Sequence, residues 1–148
     1  MTVIFKICSK VDANLSASGI ENRWNRKGQF VIYAAQSRSL ATLEMVAHRA
    51  GIMPKTAYQI MVIEINEEDI KQVLISDLPR KWNKLDAYPD LQQIGSDWYE
   101  DKEILILKVP SAIVTQEYNY VINTKHPLFA SKVTIVSRED FYWDERIL

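Results

Sequence analysis

Asn22-Arg23-Trp24-Asn25-Arg26-Lys27-Gly28, then Val31-Ile32-Tyr33-Ala34-Ala35, then Leu40-Ala41-Thr42-Leu43-Glu44: read in order, these are a loop, a strand and a helix. The first stretch is polar and ends on glycine, as a loop does. The second is a short run of β-branched, aromatic and small apolar residues, the composition of a buried strand. Ser37 or Ser39 stands where a helix begins, and a serine oxygen there accepts from the free amides of the first turn. The helix is expected over residues 40–50, with Leu40, Leu43, Ala47 and Ala50 on one face. Gly51 ends it, with Pro54 soon after. Three unlike chemistries are thereby set close together: an arginine in a loop, a tyrosine in a strand and a glutamate beside the apolar stripe of a helix.

Outward from this segment, residues 3–8 read as a first strand and residues 12–28 as one long loop, of the kind that is often functional inside a compact domain. Residues 30–35 form the second strand, and residues 58–65 a third, buried one. Glu67-Glu68-Asp69 is an acidic turn, and residues 78–89 are irregular and bounded by prolines, anchored by Trp82. Residues 90–99 suit a helix interrupted near Gly95, residues 104–109 a fourth strand closed by Pro110, and residues 133–136 a fifth. The elements do not alternate strictly, so the expected class is α+β rather than a doubly wound sheet. With 148 residues and no linker or repeat, the expectation is a single domain over residues 1–148.

The chain is 47% hydrophobic and 25% charged, which is ordinary globular composition. A formal charge of -1 argues against an extended nucleic-acid footprint. Cys8 is the only cysteine, so no intramolecular disulfide can form, which suits a reducing compartment. No apolar run approaches the roughly 20 residues that span a bilayer. The start, Met1-Thr2-Val3-Ile4-Phe5-Lys6, lacks the pattern of a secretory leader. A cytoplasmic protein is expected.

Glu44 lies beside Leu40 and Ala47 on a helical wheel, and a carboxylate there must be paired, hydrogen-bonded or protonated. Either it is a boundary residue that reaches water or His48, or it is a functional acid whose pKa burial raises. Arg23 is either a surface arginine or a two-pronged ligand for a diphosphate. Tyr33 is either a core tyrosine with a satisfied hydroxyl or a ring and hydroxyl offered to a ligand. Ser111, in Val109-Pro110-Ser111-Ala112-Ile113, follows an apolar strand: routine turn chemistry or the lip of a site. There is no nucleophile elbow, phosphate-binding glycine loop or cluster of metal ligands.

Taken together and in order, these stretches resemble the RES domain family. The matching segments are residues 19–28 ending in Arg-Trp-Asn-x-x-Gly, then Val31-Ile32-Tyr33, then Ser39 to Glu44 with His48. After them come Ile94-Gly95-Ser96-Asp97-Trp98, Val109 to Val114, Asn119-Tyr120-Val121-Ile122-Asn123 leading to His126-Pro127, and a closing Phe141-Tyr142-Trp143-Asp144-Glu145-Arg146. The resemblance implies an ADP-ribosyltransferase-like fold, a compact split β core with flanking helices and an NAD cleft. It implies Glu44, Arg23 and Ser111 as catalytic residues. It implies NAD binding by Arg23, Tyr33, Lys6, Ser111 and Asn123. NAD is then the substrate, with no separate cofactor and no metal.

The activity so implied is that of the toxin of a toxin–antitoxin pair: NAD is depleted by cleavage of the nicotinamide–ribose bond, with water or phosphate as acceptor. The alternatives are ADP-ribosylation of a macromolecule, or a catalytically weak NAD- or ADP-ribose-binding module. The implied partner is an Xre-type helix-turn-helix antitoxin, in a complex with room for a homo-oligomer, and any DNA binding belongs to that complex. Two departures stand out. Many family members have Tyr-Arg where this chain has Phe5-Lys6, which keeps a ring and a charge but loses a hydroxyl and the two-pronged geometry. Glu21-Asn22 also stand where a second glycine is usual.

Overall fold

Two long strands, β1 (Thr2–Ser9) and β3 (Tyr58–Ile65), pair antiparallel along their whole length, from Thr2 opposite Ile65 to Ser9 opposite Tyr58. In the computed structural model, which describes residues 1–48 and 56–147, a third strand, β7 (Thr134–Phe141), pairs antiparallel with β3 and carries a register shift at Val62/Ile63. A second group starts from β2 (Val31–Ala35), which pairs with β6 (Tyr118–Asn123); β6 pairs with β5 (Ile106–Pro110), and β5 runs parallel to the short β4 (Ile70–Gln72). The seven strands form one mixed sheet in the order β4-β5-β6-β2-β1-β3-β7. The two groups meet at a single register pair, Phe5 opposite Ala35. Beyond that point β1 and β2 diverge, so the sheet is split between a three-stranded and a four-stranded half.

The expected strands over residues 58–65 and 30–35 are found nearly as read. Two strands escaped the sequence. β4 is only three residues long, and β6 contains Asn119 and Asn123, a residue type that strands disfavour. β7 runs well past residue 136, because Arg138, Glu139 and Asp140 sit on an exposed edge where no apolar alternation marks the strand.

Helix α1 (Arg38–His48) is capped as expected: the Leu40 N–H donates to Ser37 Oγ at 3.1 Å. Its inward face differs from the expected one. Leu40 and Ala41 are buried and Met45 packs with them against Ile7, Ala35, Ile60 and Val62, whereas Leu43 is 45% exposed and Ala47 is exposed. The expected helix end at Ala50 and Gly51, with Pro54, lies outside the described residues.

Helix α2 (Tyr88–Asp101) is continuous, not interrupted at Gly95. Pro89 occupies its first turn, where the missing N–H costs nothing. Gly95 serves contact, not a break: a Cβ there would stand 1.6 Å from the Trp24 carbonyl oxygen. Leu91, Trp98 and Tyr99 of α2 pack with Trp24 and Trp82 onto Val31, Leu107, Val109 and Val121. The opposite face, formed by Ile4, Ile32, Met61, Ile63, Ile106 and Ile122, is covered by Val133, Leu15, Ala17 and the short α3 (Phe129–Lys132). The fold is thus α+β, a mixed central sheet flanked by helices. Among the described residues no helix is long and apolar enough to cross a membrane.

Candidate functional site

A cleft of about 330 Å3 opens where the sheet splits. Its floor is formed by Phe5, Lys6 and Ile7 of β1 and Tyr33, Ala34 and Ala35 of β2; Ala41, Glu44, Met45, Ala47 and His48 of α1 form one wall. The other wall is Asn22, Arg23 and Trp24 with Tyr88 at the start of α2, and Pro110, Ala112, Ile113 and Asn119 complete it. The volume falls in the range of small-molecule sites, about 300–1,000 Å3.

Glu44 is half-buried and both its oxygens accept hydrogen bonds. Ser111 Oγ donates to Oε1 at 3.3 Å and Asn119 Nδ2 donates to Oε2 at 2.8 Å. Ser111 is itself fully buried, and its Oγ accepts from the N–H groups of Ile113 at 3.1 Å and Val114 at 3.2 Å. With its lone pairs engaged, the hydroxyl proton is left for Glu44. Burial pushes the Glu44 carboxyl above its ordinary range. The hydrogen bonds from Asn119 and Ser111, and the charges of Arg23 and His48, pull the other way.

Arg23 faces the cleft from the loop. Its guanidinium stacks on the Tyr88 ring, 4.8 Å from the centroid, and its Nη1 is buried with no hydrogen-bond partner. The loop is held by side chains. The Trp24 N–H donates to Tyr33 Oη at 3.1 Å, and that hydroxyl donates to Asn25 Oδ1 at 2.6 Å. Buried Asn25 donates through Nδ2 to the carbonyls of Ile20 at 2.9 Å and Gln29 at 3.3 Å. Helix α2 adds three ties: Gln92 to the Asn22 carbonyl at 2.9 Å, Ser96 with Gln29 at 3.0 Å, and Tyr99 Oη accepting from the Phe30 N–H at 3.1 Å.

Of the residues the sequence singled out, Arg23, Tyr33, Glu44 and Lys6 line one cleft. Ser111 stands behind Glu44, touching its carboxylate. Asn123 lies apart: it is fully buried at the far end of β6, donating to the Tyr99 carbonyl at 3.0 Å and accepting from the Lys125 N–H at 2.9 Å. Tyr33 presents its ring to the cleft, but its hydroxyl is committed to the loop, and burial raises its pKa far above the ordinary phenol. Lys6 donates to the Tyr33 carbonyl at 3.2 Å across the split, and burial pushes its amine below the ordinary range.

A profile of the RES domain matches residues 6–144. The chain belongs to the RES domain toxin family. It is 34% identical over 142 residues to "Toxin Res" of Pseudomonas putida, covering 91% of this chain and 93% of that protein. It is 34% identical over 125 residues to "Toxin Res" of Yersinia enterocolitica, 84% and 82% of the two chains. It is also 36% identical over 121 residues to a "Prs ADP-ribosylating toxin" of a Sphingobium species, 77% and 74% of the two chains.

Within this RES domain the departure at Phe5-Lys6 has a structural setting. Arg38 stacks on the Phe5 ring at 4.5 Å while making a two-pronged ion pair with Glu139 of β7, at 2.9 and 2.7 Å. Asn25, Tyr88 and Asn119 were not singled out from the sequence of this RES domain as site residues. Asn119 was visible only as one letter of a matching stretch; knowing that β6 pairs with β2, Asn119 opposite Ala35, is what puts it in the cleft.

Proposed function

We propose that this RES domain breaks the bond between nicotinamide and ribose in NAD, and that loss of NAD makes it toxic. The observation that carries the reading is the carboxylate of Glu44, gripped by two donors on one wall of a half-enclosed cleft, with Arg23 on the other.

Breaking the glycosidic C–N bond sends the bonding electron pair to the nicotinamide nitrogen and leaves positive charge on the ribose carbon and ring oxygen. A fixed carboxylate beside that carbon stabilises the charge as it develops, and a preorganised group of this kind contributes a rate factor of about 100 to 1,000. Glu44 takes this role and accepts a ribose hydroxyl. Ser111 and Asn119, as donors, keep the buried acid anionic. Arg23, held flat on Tyr88 with an unpartnered Nη1, grips the diphosphate, for which a planar fork is suited. The ring of Tyr33 packs on the cleft floor against the ligand, while its hydroxyl holds the arginine loop. Lys6 adds a donor at the split. An acceptor, water or phosphate, then attacks the ribose carbon and loses its proton to Glu44 or solvent.

The name of the Sphingobium relative favours a second reading, transfer of ADP-ribose to a macromolecule, which shares the first step. The family's toxin–antitoxin character implies that an antitoxin, of the Xre type, covers the cleft.

Expression of the protein alone should arrest growth and lower cellular NAD. Soluble protein that leaves both unchanged would reject the proposal. Isotope-labelled NAD then separates acceptors: label on free ADP-ribose marks water, on its phosphorylated form phosphate, and on a macromolecule the second reading.

A further inference from the structure

The grip on Glu44 is asymmetric. Ser111 is fully buried behind the acid, whereas Asn119 lines the cleft itself. Asn119 sits in the middle of the four-stranded half, with its Cα opposite Ala35 of β2 and Val109 of β5, so its backbone is fixed from both sides. Its Nδ2 reaches Glu44 Oε2 at 2.8 Å, the shorter of the two bonds to the carboxylate. An amide donates only through nitrogen, so this contact favours the ionised acid and one rotation of it.

We propose that Asn119 is a positioning residue, which turns Glu44 Oε2 towards the cleft and holds it there as an anion. The inference rests on the catalytic role proposed for Glu44. It follows from a conflict in the site. Glu44 needs burial to act on charge in a low-dielectric cleft, yet burial favours its neutral form. Arg23 and His48 are the charged groups that act on it, from the loop and from its own helix, and both favour the anion. Among the described contacts its hydrogen-bond donors are Ser111 and Asn119, and Asn119 supplies direction as well as charge preference.

The test uses the whole protein. The side-chain carboxyl of Glu44 is followed by carbon NMR through a pH titration, assigned by its loss in Glu44→Gln. In Asn119→Ala, with the fold checked by amide spectra, the Glu44 pKa rises. Nicotinamide release from NAD falls on the order of 10- to 100-fold in kcat, with KM changed far less, and its acid limb moves to higher pH. Asn119→Asp preserves size and removes the donor, so it serves if the alanine variant fails to fold; it raises the apparent titration further. An unmoved Glu44 titration in a folded variant overturns the inference. So does a rise in KM with kcat intact, which would make Asn119 a ligand contact. If the titration moves but the unmodified protein releases no nicotinamide, the positioning role stands and the proposed reaction fails.

Discussion

The two walls of the cleft are built on opposite principles. Glu44 stands on a helix, and its charged end is held by Ser111, just past the end of β5, and by Asn119 of β6. Arg23 stands on a loop whose backbone is held by side chains, Tyr33, Asn25 and Gln92, while its guanidinium meets only an aromatic face among the contacts described. One wall fixes the charge; the other fixes the chain and leaves the charge free for a ligand. That division suits the roles proposed for the two residues, an acid whose oxygen must be placed to a fraction of an ångström and an arginine that would close on a flexible diphosphate.

Variants that strike one wall and spare the other test this contrast. The largest effect should come from Gly95→Ala, which drives a methyl into the Trp24 carbonyl. Overpacking typically costs roughly 1–3 kcal/mol and occasionally more; a clash with backbone that cannot rotate away belongs at the upper end, well beyond the gain of less than about 1 kcal/mol in helix propensity. The melting temperature should fall by several degrees, NAD affinity should drop, and the Glu44 carboxyl resonance should stay put; equal disturbance of both walls would break the contrast.

Arg23→Lys comes next. It keeps the charge but loses the fork and the flat stack on Tyr88, so KM for NAD should rise about tenfold or more, as expected when a charge-assisted hydrogen bond is lost. A fall in kcat with KM unchanged would move Arg23 from binding to the chemical step.

Tyr33→Phe leaves the ring in the cleft and removes the hydroxyl. The Asn25 oxygen and the Trp24 N–H lose their partner, at a cost of about 1–3 kcal/mol in thermal or urea unfolding. Binding should weaken through the loop, with kcat at saturating NAD little changed.

The smallest effect is a pH dependence. Burial holds the Glu44 carboxyl above its ordinary range, so its folded-state pKa exceeds its unfolded one. Its relative contribution to stability is therefore complete below about pH 4 and is lost as pH rises through the folded value. Glu44→Gln removes that loss. The variant should melt above the unmodified protein at pH 8, with the gap closing towards pH 4; a gap that widens in acid would mean the carboxyl is held low instead.

The unequal legibility of the molecule follows the same physics. β3 was readable because its apolar run, with five of eight residues buried, leaves a plain signal, whereas only the start of β7 was legible, the rest lying on an exposed charged edge, and β4 was too short to carry one. Glu44 could be placed beside Leu40, since both follow from helical spacing, but Leu43 was assigned inward because the wheel alone cannot say which side of the stripe the sheet meets. Gly95 looked like a helix breaker; only the Trp24 carbonyl, 71 positions earlier in the chain, explains it. Tyr33, Ser111 and Asn119 share this character. Each one's contact is set by strand register and by a loop folding back, neither of which is written locally.

The most direct measurement is nicotinamide release from NAD by the purified protein beside Glu44→Ala, at equal concentration and with both shown to be folded. The account predicts release by the unmodified protein and a loss of at least about 100-fold in the variant. Equal release by both, or none from a folded protein that binds NAD, would contradict it.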